Sequence, residues 1–247
     1  MALSSWGGAA QVSERKHQPE QWRLERVLKR DLFGQIELGR LEGHEGPVTR
    51  RLVSRSAWLL RPLARLFAWR EAVALRRLAG LEGVPQLLAF KKGILYRSYL
   101  EGSTVAEARP RDPKFYAAAR KLLWQVHRRG VVHNDSAKRV NWLMLADGRP
   151  GLIDFQLSLI VRRHSLVART ARREDLRHLM KHKRFNCRQA LTPIERRLLA
   201  RRSVVARVWY DLYQRPYFFV TRRLLHWADR EGRGLGAQID RPDQEKT

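Results

Sequence analysis

Three short runs of strand-forming residues, at 25–28, 35–40 and 48–53, predict an antiparallel meander. The breaks between them, Lys29-Arg-Asp-Leu-Phe-Gly34 and Glu42-Gly-His-Glu-Gly-Pro47, each carry a glycine, which tolerates a sharp reversal best. From 63 to 81 the apolar positions Leu63, Phe67, Ala74, Leu78 and Leu81 fall mostly at helical spacing, until Gly80, Gly83 and Pro85 end the run. Residues 85–90 and 94–100 then predict a hairpin around Lys91-Lys92-Gly93, followed by a connector over 101–104. Three strands, a helix and two strands make a small lobe.

The second half opens with a helix, capped by Asp112 with Pro113 in its first turn and running through Leu122, Leu123 and Val126 to Gly130. A loop over 131–135 leads to strands at 141–145 and 151–155, joined by a turn at Asp147-Gly148. Thr192-Pro-Ile-Glu195 has the form of a capping box, with Ile194, Leu198, Val205, Val208 and Leu212 following at helical intervals. Tyr217, Val220, Leu224 and Trp227 predict a further helix ending at Gly232, and no internal repeat appears.

Composition narrows the class. With 44% hydrophobic residues in 247, the chain has the material for a core. The single cysteine, Cys187, excludes an internal disulfide or a multi-cysteine zinc site and points to a reducing, cytoplasmic setting. Cys187 reads as a packed or idle thiol, and the tryptophans as core or interface anchors. The first residues lack the basic leader and apolar block of a secretory signal, and no apolar run predicts a transmembrane helix.

The net charge is +26, unevenly spread. Residues 1–47 are neutral, whereas residues 48–161 hold 21 basic side chains against 8 acidic, and residues 162–233 hold 20 against 6. Such an excess favours polyanions: nucleic acid, anionic lipid or phosphorylated small molecules. Helices with arginine on one side and Leu, Val, Trp and Phe on the other suit an anionic membrane surface. They also suit simple packing with solvated arginines, and nucleic acid is the weaker candidate because no RNP, KH or zinc-finger pattern accompanies them.

The chemistry concentrates in His133-Asn-Asp-Ser-Ala-Lys-Arg-Val-Asn141 and, 13 residues further on, Asp154-Phe-Gln156. One carboxylate and one carboxamide share a loop, and a hairpin returns a second carboxylate to them. Phosphoryl transfer requires this set: a carboxylate to accept a hydroxyl proton, and a carboxylate plus an amide oxygen to hold Mg²⁺ on nucleotide phosphates.

His-x-Asp, Asn-x-Leu, a hairpin and Ile-Asp-Phe in this order resemble the protein-kinase-like superfamily, and more closely its small bacterial RIO-like and lipopolysaccharide (Kdo) kinase types, over about residues 25–180. The resemblance implies an α+β, two-lobed fold with a reduced large lobe, no long activation segment and added C-terminal basic helices. It divides the chain into an N-terminal extension (1–21), a small lobe (22–100), a large lobe (101–190), basic amphipathic helices (191–235) and a tail (236–247). By position it makes Asp135 the catalytic base, Lys138 a contact to the transferred phosphate, Asn141 and Asp154 the metal ligands and His133 a support for the loop. Asp175 would anchor the catalytic loop from a helix.

For the nucleotide, the resemblance offers Gly34 in the phosphate loop with Lys29 and Arg30, Glu101 at a hinge beside adenine, and Glu71 on the first long helix. Arg51 stands where the family has its strand lysine, and Gln156 stands where most members have glycine. The implied activity is ATP- and Mg²⁺-dependent phosphate transfer to a hydroxyl of a lipopolysaccharide precursor or a protein, with peripheral membrane attachment where the acceptor is lipid-linked. Arg51 and Gln156 keep open a second reading, a nucleotide-binding pseudokinase scaffold, and the RIO likeness a third, a ribosome- or RNA-associated kinase or ATPase. His164, His178 and His182, without a cysteine partner and amid many arginines, read as solvated histidines rather than a metal site.

Overall fold

The structure, a computed structural model, describes residues 22–162 and 165–200. The extension at 1–21, His164, the helical patterns beyond residue 200 and the tail lie outside the described residues.

Strands β1 (Trp22–Asp31), β2 (Gly34–Leu41), β3 (Val48–Leu52), β4 (Leu87–Lys91) and β5 (Ile94–Ser98) form one antiparallel sheet in the order β1-β2-β3-β5-β4. Strand β1 is longer than its apolar pattern suggests because it is an edge: Arg23, Glu25, Arg26 and Arg30 stand in solvent, so hydrophobicity does not mark its ends. Gly34 opens β2 at φ +132°, and a Cβ there would lie 2.4 Å from the Leu52 carbonyl oxygen. Only glycine lets β2 approach the end of β3 this closely.

Helix α1 (Arg61–Arg77) starts with Pro62 in its first turn. It ends earlier than the hydrophobic spacing predicts, since Leu78 and Leu81 lie in the turn after it yet stay in the core. Strand β6 (Gly102–Thr104) leads into the single-turn helix α2 (Val105–Ala108), whose Thr104–Glu107 capping box sequence reading missed. Asp112 caps α3 (Pro113–Arg128) as expected, accepting from the Lys114 amide at 2.8 Å. After α3 come β7 (Val131–Val132), β8 (Trp142–Leu145), β9 (Pro150–Leu152) and β10 (Leu159–Ile160), with β6-β8-β9 forming one small sheet and β10-β7 another.

Helix α4 (Leu166–Asn186) follows, then α5 (Pro193–Ala200). The Thr192–Glu195 capping box forms: the Glu195 amide donates to Thr192 Oγ1 at 3.2 Å and the Thr192 amide to Glu195 Oε2 at 2.9 Å. Helix α4 escaped the periodicity reading because its buried face is largely polar, combining Asp175, His182 and Lys183 with Ala168, Leu179 and Met180. Periodicity detects apolar stripes, and this stripe is half made of groups satisfied by partners.

One core cluster joins Leu75 and Leu78 at the end of α1, Tyr116 and Val126 of α3, Trp142 of β8, Phe155, and Leu179 and Met180 of α4. Each such large side chain, fully withdrawn from water, contributes about 1.5–3 kcal/mol. A smaller cluster, Phe33, Val53, Ala64, Phe67 and Ala68, fixes α1 to the sheet. Cys187 is a buried free thiol, pushed up in pKa by burial. Among the tryptophans, Trp142 is core, whereas Trp58, Trp69 and Trp124 are each more than half exposed.

Candidate active site

Strand β7 delivers the chain to His133, and the loop then turns through Asn134 at φ +61°. Asp175 of α4, buried at 1% exposure, holds this turn. It accepts from the His133 amide (2.8 Å), the Asn134 amide (3.1 Å) and Ser136 Oγ (2.8 Å), with His127 Nε2 at 3.1 Å. Burial pushes its carboxyl up, but these donors and the nearby histidines outweigh that, and its pKa lies below the ordinary aspartate value. The anchoring role that the resemblance gave Asp175 is thus present in the geometry.

His133 is fully buried and braces the loop against the following hairpin. Its Nδ1 accepts from the Asp135 amide at 3.3 Å, which leaves Nε2 to donate to the Ile153 carbonyl at 2.9 Å. The ring also packs edge-on to Phe155, 4.8 Å between centroids. The Ile153 amide donates to the Asn141 carbonyl at 2.9 Å, so the segment before Asp154 is tied to both ends of the loop from His133 to Asn141.

Asp135, 5% exposed, receives Lys138 Nζ at 2.8 Å and Asn141 Nδ2 at 3.1 Å on Oδ2. Asn141 Nδ2 also donates to the Asp135 carbonyl at 3.0 Å. Burial raises the Asp135 pKa, with Lys138 opposing and Asp154 adding to the rise. A carboxylate made more basic in this way is a better proton acceptor.

Asp154 sits at φ +68°, a conformation that costs a non-glycine residue backbone strain. Burial raises its pKa, but the charges of Arg51, Lys138 and Arg97 overcome that and hold it below the usual range, so it stays ionised. Its Oδ2 takes a 3.4 Å hydrogen bond from Gln156 Nε2, while its buried Oδ1 has no hydrogen-bond partner. An ionised carboxylate with an orphaned oxygen, beside an asparagine whose amide nitrogen is turned towards Asp135, fits a hard cation such as Mg²⁺. Asp154 and Asn141 would hold it, and the cation would neutralise phosphate charge.

A cleft of about 450 Å³ opens between the lobes, within the roughly 300–1,000 Å³ typical of small-molecule sites. Leu28, Ile36, Leu100 and Ile153 supply apolar lining, and Arg51, Arg97, Lys138, Asn141 and Asp154 supply polar lining. Asp135 joins this set through Lys138 and Asn141. Lys29 lines the cleft too, whereas Gly34 packs against β3 and Glu101 is exposed just beyond Leu100; neither residue is part of the lining. A wider groove of about 650 Å³, with Trp124 and Arg172 among its lining residues, holds none of the predicted site residues.

The ion pair expected between Arg51 and Glu71 is present at the outer limit of pairing distance, and a second arginine shares it. Glu71 on α1 is fully buried, and Arg51 Nη1 is 3.9 Å from it. The close partner of Glu71 is Arg97 of β5, a residue sequence reasoning missed. Arg51 instead donates to Gln156 Oε1 at 2.6 Å. The only sequence signal for Arg97 was a lone arginine inside a strand that is otherwise fit for burial.

His182 corrects another expectation: it is 5% exposed, with Nε2 donating to the Ser136 carbonyl at 2.9 Å behind the loop. Burial depresses its pKa to about 4 from 6.5. The unfolded chain therefore takes up this proton first, and stability is expected to fall by about 3 kcal/mol as pH drops from about 6.5 towards 4. Urea midpoints across that window check this; His182→Gln keeps a donor and should flatten the decline, and an unchanged decline would count against the assignment. His178 lies 3.3 Å from Glu174 in a partly buried pair, and among the described residues no cluster of His, Cys, Asp and Glu suits a metal.

No family model and no curated protein matches the chain. Among solved structures it is similar to the Rio2 kinase from Chaetomium thermophilum, with 15% identity, a TM-score of 0.53, and coverage of 71% of this chain and 62% of that one. It is also similar to the Rio2 kinase-ADP/Mg²⁺-phosphoaspartate complex from the same organism, with 16% identity, a TM-score of 0.51, and coverage of 71% and 61%. The match thus spans less than two thirds of those chains. The described residues form a protein-kinase-like fold of the α+β class with a small large lobe. No described helix is long and apolar enough to cross a membrane.

Proposed function

We propose that this chain is an ATP- and Mg²⁺-dependent phosphotransferase acting on a hydroxyl group of a lipid-linked sugar or a protein. The observation that carries the reading is the joint placement of Asp135, Lys138, Asn141 and Asp154, with Asp135 more basic and Asp154 more acidic than ordinary aspartates. Two carboxylates driven apart in this way suit two jobs, one taking a proton and one staying charged beside phosphate.

In the step proposed, the acceptor oxygen attacks the γ-phosphorus, the bond from that phosphorus to the β-phosphate bridging oxygen breaks, and ADP leaves. The hydroxyl proton passes to Asp135. Lys138, half exposed and 2.8 Å from Asp135, would meet the transferred phosphoryl oxygens. The apolar lining of the cleft would take the adenine, with the backbone near Leu100 and Glu101 at its edge, and the end of β1 before Gly34, with Lys29 in the cleft wall, would close over the phosphates. The ADP and Mg²⁺ of the Rio2 complex support nucleotide use by this fold.

The cationic excess of residues 48–161 favours ATP and an anionic acceptor, and a lipid-linked acceptor would place the protein at the inner face of the cytoplasmic membrane. One observation favours the pseudokinase alternative: Gln156 bonds both Arg51 and Asp154, engaging the groups that phosphate and metal would need. The test is turnover of MgATP with lipid, sugar and protein acceptors, using Asp154→Ala as control. The reading predicts turnover in the wild type and at least a ~10²-fold loss in the variant; equal silence in both would leave the scaffold.

A further inference from the structure

We propose that the cationic work of the small lobe is divided between two arginines: Arg97 is the positioning residue that holds α1 through Glu71, which leaves Arg51 to meet nucleotide phosphate. The second half rests on the nucleotide reading above; the first half stands on the unliganded protein.

The sheet register makes the division possible. Thr49 of β3 faces Arg97 of β5, and Arg51 lies two residues along from Thr49. Alternation then places Arg51 and Arg97 on one face of the sheet as diagonal neighbours. Thr49 also pins Arg97: its Oγ1 accepts from Arg97 Nε at 3.2 Å and donates to the Arg97 carbonyl at 3.4 Å.

Glu71 has no exposure to water, and a buried carboxylate needs a cation to remain charged. Two guanidinium groups are near it, but they are not equivalent. Arg97 contacts Glu71 directly. Arg51 lies 3.9 Å away and commits a hydrogen bond to Gln156, in the turn that follows Asp154. A compact ammonium on β3 could serve both the helix carboxylate and a phosphate, whereas the longer, planar head of Arg51 reaches past the carboxylate towards Asp154. Arg97 makes up the missing contact from the neighbouring strand. The two cations press on each other, and burial with the Arg51 charge lowers the Arg97 pKa to about 10. An anion brought to Arg51 would relieve that repulsion.

A second tie holds α1 in the same direction. Arg70 Nη2 donates to the Ser158 carbonyl at 2.7 Å, so adjacent residues of one helix turn grip the turn after Asp154 and strand β5. Arg97 and Arg70 therefore hold α1 by closer contacts than Arg51, which stands 3.9 Å from Glu71.

Amide hydrogen exchange over α1 in the unliganded protein, paired with calorimetric titration of MgATP, tests the division. Arg97→Met is expected to speed exchange in α1 about tenfold or more, and Arg51→Met to leave it within about twofold. For MgATP the order reverses: Arg51→Met weakens binding about tenfold or more, and Arg97→Met/Glu71→Gln weakens it by less. If Arg97→Met fails to fold, the double variant, which removes the orphaned charge, is expected to restore folding. Equal loosening of α1 by the two single changes, greater loosening by Arg51→Met, or a double variant no more stable than Arg97→Met would overturn the proposal. A wild type that does not bind MgATP would defeat the phosphotransferase reading and the role of Arg51, while exchange still decides the pairing of Glu71.

Discussion

Asp175→Ala is expected to destabilise the protein by about 3–5 kcal/mol, the cost of removing one member of a buried, charge-assisted network. Four donors lose their acceptor at once: the amides of His133 and Asn134, Ser136 Oγ and His127 Nε2. Each buried donor left unsatisfied costs about 1–3 kcal/mol, so the upper part of that range follows if the loop cannot relax. Urea unfolding gives the total, and amide exchange at His133 and Asn134 localises it. The exposed Glu25 provides the contrast. It pairs with Arg40 across β1 and β2 at 3.0 Å, where the two side chains are 39% and 62% exposed, and Glu25→Ala is expected to cost only about 1 kcal/mol or less. Because the Asp175 pKa is depressed, its contribution is complete above the ordinary aspartate value and is lost as pH falls through the lower folded value. Similar costs for the two substitutions would remove Asp175 from its anchoring role.

The second large effect falls on rate rather than stability. Asp135→Asn is expected to lower phosphate transfer about 10²- to 10⁴-fold, the range that a positioned base contributes, while MgATP affinity changes little. The Asp135 amide bond to His133 survives the substitution, so the loop keeps its shape. The pH profile separates a base from a merely structural residue. With its pKa raised by burial, Asp135 is active when deprotonated, so the rate should decline as pH falls through a point above the ordinary aspartate value. That acid limb should vanish from the residual rate of the variant. A variant with the wild-type rate, or one that keeps the limb, would show that another group takes the proton.

The strands around Gly34 and Lys91-Lys92-Gly93, and the loop from His133 to Asn141, were legible because backbone reversals and motif spacing leave marks in sequence. The spacing from Asn141 to Asp154 was legible for the same reason: a hairpin of fixed length returns the second carboxylate. Two things were not. Helix α4 buries Asp175, His182 and Lys183, so its inward face reads as polar, and the burial of His182 could be seen only once its carbonyl partner on Ser136 was placed. The pairing of Glu71 depends on the register of β3 against β5, which places Arg97 beside Arg51. Register across strands distant in sequence leaves no local mark, so the motif pointed to Arg51 as the partner of Glu71 and gave no sign of Arg97, which contacts the same carboxylate more closely.

If, as proposed, the cleft between Arg51 and Asp154 takes the phosphates of a magnesium nucleotide, ATP must bind there more tightly with Mg²⁺ than without it. Calorimetric titration of ATP into the wild type and Asp154→Ala, with Mg²⁺ and with chelator, tests it directly. The account predicts that Mg²⁺ strengthens binding to the wild type about tenfold or more and that this gain disappears in the variant. ATP affinity that is indifferent to Mg²⁺ in the wild type, or a Mg²⁺ gain that survives the loss of Asp154, would contradict it.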